Sequence, residues 1–396
     1  MSTQKLPYWR LSSVYFFYFA SLGALIPYFG LYLHSLGFLA AQVGLVFAVM
    51  QGTKLVAPSL LAALSTRFNN RMRLVQLAAL LTVLSFSFLL IEQTFYWVLV
   101  ITFAFSFFWN AMLPQFESIT LTKLGTNTHA YSDIRLWGSL GFIATVAGTG
   151  LILDVVDLSL WPLLVSLCLA AILLSSLSLQ DKQIKPQQSQ NNSIISIVRQ
   201  KKVIVFFMVV FLVQASHGPY YVFYSILLDN LGYNETQIGQ FWALGVIAEI
   251  VLFIAIKHVF KRVSLRFVML MSVFLTMIRW LMIGWLSTSL VALLIAQLLH
   301  AASFGSFHVV CIHLTHRYFK GHQQDKGQAF YSSVGYGAGG MLGVFVAGLL
   351  WDDLGETGAF SAAFFMSAIA LFLTWKWVER GDNKPLKVEL DELRPL

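Results

Sequence analysis

Four ionisable side chains lie inside long apolar runs, where a charge is costly: Lys54, Glu117, Glu249 and Arg279. An ionisable residue in the middle of a membrane span costs about 2.5–3.5 kcal/mol or more, so it usually faces a protein interior or a wet cavity. Two of these groups are basic and two are acidic, which also permits a purely structural network. Because they come from both halves of the chain, we favour a functional role.

Histidines accompany these charges in the second half of the chain. His217, His300 and His308 fall in apolar runs, and histidine changes its charge near physiological pH. A single histidine is more often a hydrogen-bonded interior residue than a proton carrier. Together with a carboxyl group such as Glu249, these residues are typical of a proton-coupled carrier. We therefore predict proton coupling at Glu249, His300 and His308.

The composition indicates a membrane protein. Of 396 residues, 58% are hydrophobic and only 11% are charged, whereas a soluble domain has about 25% charged residues. This excludes an ordinary soluble enzyme and a disordered chain. Since one span needs about 20 apolar residues, the length suggests about twelve. We predict spans at 9–34, 42–64, 74–91, 95–121, 134–153, 158–179, 203–228, 238–257, 266–286, 289–314, 327–350 and 357–377.

Enzyme and cofactor chemistry find little support in the sequence. The chain contains neither an HExxH motif nor a GxSxG motif, which are signatures of a zinc protease and a serine hydrolase. Its two cysteines, Cys168 and Cys311, lie in apolar runs and argue against a disulfide framework or a zinc site. We expect no enzyme activity, no cofactor and no metal.

The positive charges predict the orientation of the spans. If the N-terminus is cytoplasmic, every Lys and Arg falls on the cytoplasmic side except Lys54 and Arg279, which lie within spans. This bias is the positive-inside rule. It predicts an even number of spans with both termini in the cytoplasm of a bacterium, in its inner membrane. The net charge of +8 then reflects topology, and we expect no nucleic-acid partner.

A polar stretch and an internal repeat divide the chain into two halves. The motif LG-x4-Q-[VI]-G at 36–44 recurs at 231–239, and Tyr131-Ser132 recurs as Tyr331-Ser332. Two parallel six-helix halves, with the site between them at mid-membrane, are typical of major facilitator transporters. We thus predict an all-α membrane protein of twelve transmembrane helices. Its parts are a first half at 1–179, a cytoplasmic linker at 180–202, a second half at 203–378 and a cytoplasmic tail at 379–396.

Sequence segments in both halves carry a family resemblance. Over its whole length the chain resembles the major facilitator carriers, and it looks most like the phenylpropionate-permease branch, which is related to the lactose permease. The segments are PYFGLYLHSLG in the first span, IRLWGSLGF (134–142), SHGPYYVFYS (216–225), GVIAEI (245–250), IRW (278–280) and QLLH with a second histidine at 308.

The resemblance implies roles for individual residues. Glu117 and Arg135 match the carboxylate and the arginine with which the lactose-permease pattern grips its substrate. Glu249, Arg279 and His300 match its glutamate, arginine and histidine of spans eight, nine and ten.

This sequence also departs from the lactose-permease pattern. Ser303 stands where that family has a second, proton-coupling carboxylate. The proton would then be handled by Glu249, His300, His308 or Glu117. A basic residue at Lys54 has no counterpart in the sugar permease but resembles the phenylpropionate branch.

We therefore expect a proton-coupled symporter that imports a small organic solute by alternating access. With Arg135 added, the expected cavity holds three basic and two acidic groups, which one carboxylate would balance, so an aromatic monocarboxylate such as 3-phenylpropionate is the favoured solute. A sugar or nucleoside symporter is the alternative. The expected partners are the solute, protons and the bilayer, and the protein is expected to be a monomer. The expected substrate-binding residues are Lys54, Glu117, Arg135, His217, Tyr221 and Arg279.

Overall fold

The computed structural model describes residues 6–65, 70–125, 129–179, 193–260 and 262–381. Within these residues the chain is helical and contains no β-strand. Long apolar helices are the expected form in a bilayer, because a helix satisfies its own backbone hydrogen bonds where no water is available.

The first half contains six helices of membrane-spanning length and hydropathy. They are α1 (Tyr8–Ser35), α2 (Ala40–Ser65), α3 (Arg71–Leu90), α4 (Phe95–Leu124), α5 (Ala130–Leu153) and α6 (Leu158–Leu177).

The second half repeats this arrangement. Its helices are α7 (Lys201–Asn230), α8 (Glu235–Ile256), α9 (Leu265–Trp285), α10 (Leu290–Tyr318) and a continuous stretch Gln324–Trp377. The last stretch is broken at Gly355, whose φ of +62° and ψ of −163° are not helical and suit glycine. It therefore forms two spans, α11 (324–354) and α12 (356–377). The twelve predicted spans are thus present in the described part of the chain.

The linker and the tail are described only in part. Residues 180–192 of the predicted linker lie outside the described residues. After them a short helix, Ile195–Val198, leads into α7. Residues 382–396 of the predicted tail also lie outside the described part.

The sequence repeat has the same structural basis in both halves. Gly37 and Gly232 follow α1 and α7 with φ of +81° and +87°, a region that favours glycine. Gln42 then accepts a hydrogen bond from the Leu39 backbone N–H (2.9 Å) at the start of α2. Gln237 accepts the equivalent bond from Asn234 (3.0 Å) at the start of α8. The repeat thus encodes a tight turn followed by a capped helix.

Several helices are irregular near the middle of the membrane. Asn110 of α4 donates a hydrogen bond to the carbonyl of Met50 (3.1 Å), an acceptor that an unbroken α2 would use for its own backbone. Such an insertion distorts a helix, and α2 forms a 3₁₀ turn at Thr53–Leu55. Helices α10 and α11 contain π-helical segments at Ala301–Ser306 and Ser333–Gly339.

The two halves meet mainly through α1, α2 and α5 on one side and α7, α8 and α11 on the other. Hydrogen bonds and close backbone contacts join them at the end of the bundle opposite the termini, here called the outer end. Thr236 donates to Asp154 (3.1 Å), and the backbone N–H of Ala40 donates to Asp352 (3.0 Å). A Cβ atom at Gly44 would lie 2.7 Å from the Cα of Gly348. The outer end is therefore closed.

Candidate functional site

The first half contributes a carboxylate, a guanidinium and several aromatic rings. The guanidinium of Arg135 on α5 lies 3.8 Å from the centroid of the Phe19 ring, a cation–π contact. Glu117 on α4 interacts electrostatically with Arg135 and with the hydroxyl of Tyr131. Tyr15 packs on Tyr131 with ring centroids 6.2 Å apart. Glu117 and Arg135 are both half-buried, which leaves them accessible to a polar solute.

Arg135 also faces the second half. Its charge acts on Glu249 of α8 and on His308 of α10. Among the described residues, no carboxylate lies within the 4 Å of an ion pair with Arg135. Arg135 and Glu249 are thus opposite charges from the two halves that do not pair in this conformation.

Glu249 of α8 and His300 of α10 lie close together. Nε2 of His300 lies 3.7 Å from Oε2 of Glu249. The other ring nitrogen, Nδ1, is buried and has no hydrogen-bond partner among the described residues. Because this pair joins α8 to α10, a proton on either group changes the contact between the two helices.

His308 lies against two tyrosine hydroxyls of α11. Its Nδ1 is 2.9 Å from Oη of Tyr331 and 3.0 Å from Oη of Tyr336. A hydroxyl can donate to a neutral imidazole nitrogen or accept from a protonated one. The surroundings of His308 therefore accommodate both protonation states.

Arg279 is enclosed by neutral groups. It has no exposed surface, and its guanidinium donates to the carbonyl of Ala296 (3.0 Å) and to Oγ of Ser303 (3.1 Å). It also lies 4.1 Å from the Tyr220 ring and 4.8 Å from the Trp280 ring. A solute can reach Arg279 only after part of this cover moves.

Helix α7 is interrupted at His217, between the segments Lys201–Ser216 and Gly218–Asn230, and Tyr221 lies one turn further on. Nδ1 of His217 is 2.8 Å from the carbonyl of Val213, so this nitrogen donates and Nε2 remains free to accept. Nε2 is buried without a partner in the described residues. The ring packs edge-on against Trp280 (4.9 Å) and stacks on Tyr221 (6.0 Å). Tyr221 is half-buried.

Lys54 lies apart from the other charges. It occupies the 3₁₀ turn of α2 between Gln51 and Leu55, which contact Gly340 and Gly337 of α11. In the described part of the chain its ammonium group has no hydrogen bond or ion pair. The structure thus places Lys54 at the interface between the halves but brings it together with neither Glu117 nor Glu249.

Several residues of this region were not identified from the sequence as site residues. They are Phe19, Tyr131, Phe304, Tyr331 and Tyr336. The repeated Tyr-Ser pair was the available signal for two of them, because Tyr131 contacts Glu117 and Tyr331 contacts His308. Phe304 shares a face of the predicted helix with His300 and His308, four residues from each, whereas nothing in the sequence distinguishes Phe19 and Tyr336.

The model of the MFS_1 like family matches residues 8–362. The chain belongs to this family. It is a multi-pass membrane protein of the major facilitator superfamily, and the relatives described next are transporters, so the chain is a transporter and not an enzyme.

Two relatives of this family member come from Escherichia coli (strain K12). The probable 3-phenylpropionic acid transporter is 28% identical over 383 residues, which cover 92% of this chain and 96% of that protein. The putative nucleoside transporter YegT is 21% identical over 411 residues, covering 97% and 96%. Among solved structures, the nucleoside transporter NupG superposes with a TM-score of 0.80 at 16% identity, covering 94% of this chain and 98% of that one. The last likeness shows the fold alone.

Proposed function

We propose that this protein is a proton-coupled symporter that imports a small aromatic monocarboxylate, such as 3-phenylpropionate, across a bacterial inner membrane. The observation that carries the proposal is Arg135, a half-buried guanidinium with no carboxylate within ion-pair distance among the described residues. The similarity to the probable 3-phenylpropionic acid transporter supports the choice of solute.

The carboxylate of the solute binds Arg135, because a guanidinium binds a planar carboxylate with two parallel hydrogen bonds. Glu117 and Tyr221 line the same space, and Lys54 adds positive charge at the interface between the halves. His217 and Arg279 contact the solute in a state in which the cover of tyrosine and tryptophan rings has moved.

Proton coupling follows from competition for Arg135. An ionised Glu249 attracts the same guanidinium that the solute carboxylate needs, whereas a protonated Glu249 leaves it available. Proton and anion therefore bind better together than alone, and this coupling is reciprocal. His300, whose Nε2 lies 3.7 Å from Glu249, exchanges the proton with it once the two groups move within hydrogen-bond distance, and His308 offers a further site.

Alternating access needs two states that open on opposite sides. Rocking of one half against the other around a central site is the usual mechanism in this architecture. Since the outer end is closed, solute does not enter this conformation from that side. With both termini cytoplasmic, as the positive charges predict, the closed end faces the outside of the cell membrane.

A nucleoside or sugar symporter is the second candidate. It is supported by the likeness to the putative nucleoside transporter YegT. In that case Glu117 and Arg135 bind solute hydroxyl groups, and no net negative charge on the solute is needed.

Proteoliposomes containing the purified protein distinguish the two candidates. We would add 3-phenylpropionate, cinnamate, benzoate, lactose, melibiose or uridine outside and record uptake and external pH. Uptake with external alkalinisation restricted to the aromatic acids supports the proposal. Transport of uridine or a sugar, with no response to the acids, contradicts it. Arg135→Gln should abolish the response to the acids, and Arg262→Gln, a substitution at the membrane edge, serves as the control.

A further inference from the structure

Phe304 is an apolar residue between two histidines of α10. It lies on the π-helical segment of α10 between His300 and His308 and is half-buried. The next phenylalanine, Phe307, has no exposed surface. The ring of Phe304 is therefore more accessible than that of Phe307.

The ring of Phe304 is nearly parallel to the rings of two histidines. His300 and Phe304 stack with centroids 5.3 Å apart and planes 5° apart, and Phe304 and His308 stack at 6.2 Å and 8°. Tyr336 and His217 meet the same ring edge-on, at 6.2 Å and 6.3 Å. Each of these aromatic neighbours carries a polar group, so Phe304 is not part of an apolar aromatic cluster.

Phe304 lies near the region where the solute is expected. Its ring contacts the rings of His217, His300 and His308 at centroid distances of 6.3, 5.3 and 6.2 Å. These three are among the expected site residues, so a solute bound between them and Arg135 meets the ring of Phe304. Two aromatic rings attract each other in edge-to-face as well as offset-stacked arrangements, by more than their buried area alone explains.

We infer that Phe304 is the residue that selects an aromatic ring in the solute. The ring of the solute packs against Phe304 while its carboxylate binds Arg135. This inference rests on the proposed function and deepens it by assigning the ring end of the solute to α10. It also explains why a phenylalanine lies within a row of ionisable side chains.

The test compares two acids that differ only in the ring. Uptake of labelled 3-phenylpropionate into proteoliposomes is inhibited with unlabelled 3-phenylpropionate or with its saturated analogue, 3-cyclohexylpropionate. For the unaltered protein we expect the aromatic acid to inhibit roughly three- to tenfold more strongly, the range expected for one aromatic pair. Phe304→Leu should reduce this ratio to about one.

Two further variants separate ring selection from a change in packing. Phe304→Tyr keeps the ring and should keep the ratio. Phe307→Leu makes the same change at the neighbouring buried position, so it should leave the ratio unaltered even where total uptake falls.

The outcomes separate this inference from the proposed function. If Phe304→Leu keeps the ratio of the unaltered protein, or if that protein prefers neither acid, the inference is wrong while transport of carboxylates stands. If the unaltered protein transports neither acid, the proposed function fails and the inference fails with it.

Discussion

The proposed mechanism gives different roles to two basic residues that act on Glu249. His300 lies 3.7 Å away and takes the proton on closer approach, whereas Arg135 of the other half attracts an ionised Glu249. In that mechanism a solute carboxylate on Arg135 removes the second attraction. At the scale of single residues, the proposed coupling therefore depends on one carboxyl group that senses whether Arg135 is occupied.

Glu249→Gln tests this role directly. Glutamine is permanently neutral, so Arg135 remains available to the solute but no proton is carried. We expect accumulation of 3-phenylpropionate driven by a pH gradient to be lost while exchange of labelled for unlabelled solute persists. Glu356→Gln, the same change near the outer end, is the control. Continued accumulation in the Glu249→Gln protein would show that another group carries the proton.

Lys54→Ala tests whether the isolated ammonium group serves the solute. A positive charge without an acidic partner in the described residues favours anions, so binding of 3-phenylpropionate should weaken more than binding of its neutral amide. The measurement is the competition constant of each compound in counterflow. Equal losses for the two compounds would assign Lys54 to the structure of the interface.

The charged residues of the site could be recognised from the sequence because charges are rare and costly in apolar runs. The residues that contact them could not be recognised in this way. Phe19 lies under Arg135, and Tyr336 lies beside His308, through contacts between helices that no local pattern encodes. The enclosure of Arg279 was likewise not apparent, since a span does not show which face its neighbours cover.

Helices α2 and α11 cross where Gly44 faces Gly348. A Cβ atom at Gly348 would lie 2.8 Å from the carbonyl oxygen of Ala40 and 2.8 Å from the Cα of Gly44. Backbone atoms cannot yield as a flexible side chain can, so any larger residue separates the helices. The closed outer end therefore depends on this crossing.

Gly348→Leu should hold the outer end open. The measurement is labelling of a single cysteine at Ile238, which is fully buried in α8, by an impermeant maleimide in a protein whose Cys168 and Cys311 are replaced by alanine. We expect faster labelling than in the same protein with Gly348 intact. Gly148→Leu is the matched control, because a Cβ atom there meets nothing within 4 Å. Unchanged labelling in Gly348→Leu would refute the crossing as the closing element.

The spans themselves were predictable because apolar length and flanking turns are local properties. The 3₁₀ and π-helical segments within the spans were not predictable. The 3₁₀ turn that carries Lys54 depends on Asn110 of another helix donating to Met50, and the π-helical segments follow no residue preference. Distortions imposed by a neighbouring helix leave no periodic signal in the distorted one.

At the scale of the whole molecule, the halves exchange hydrogen bonds in a symmetric manner. Asp154, after α5, accepts from Thr236 at the start of α8. Asp352, at the end of α11, accepts from the N–H of Ala40 at the start of α2. In each case the fifth helix of one half supplies a carboxylate to the first turn of the second helix of the other half, where a negative charge is favourable.

Removal of both carboxylates should weaken closure. A hydrogen bond to a charged group contributes about 1.5–3 kcal/mol, so Asp154→Ala with Asp352→Ala should speed labelling of the Ile238 cysteine severalfold, and each single change should have part of that effect. Asp353→Ala alters the adjacent carboxylate, for which the described residues show no partner, and is the control. Equal labelling in the double variant and the control would mean that the carboxylates do not hold the outer end closed.

This exchange of carboxylates also has a consequence for biosynthesis. When the first six helices have been inserted into the membrane, Asp154 has no donor from α8 and the N–H of Ala40 has no acceptor from α11. Both gain partners only after the remaining helices are in place, since α11 is almost the last to be translated. The closed outer end is thus a late step of assembly, and a chain that stops before α11 leaves the N–H of Ala40 without this acceptor, although Gln42 still caps α2.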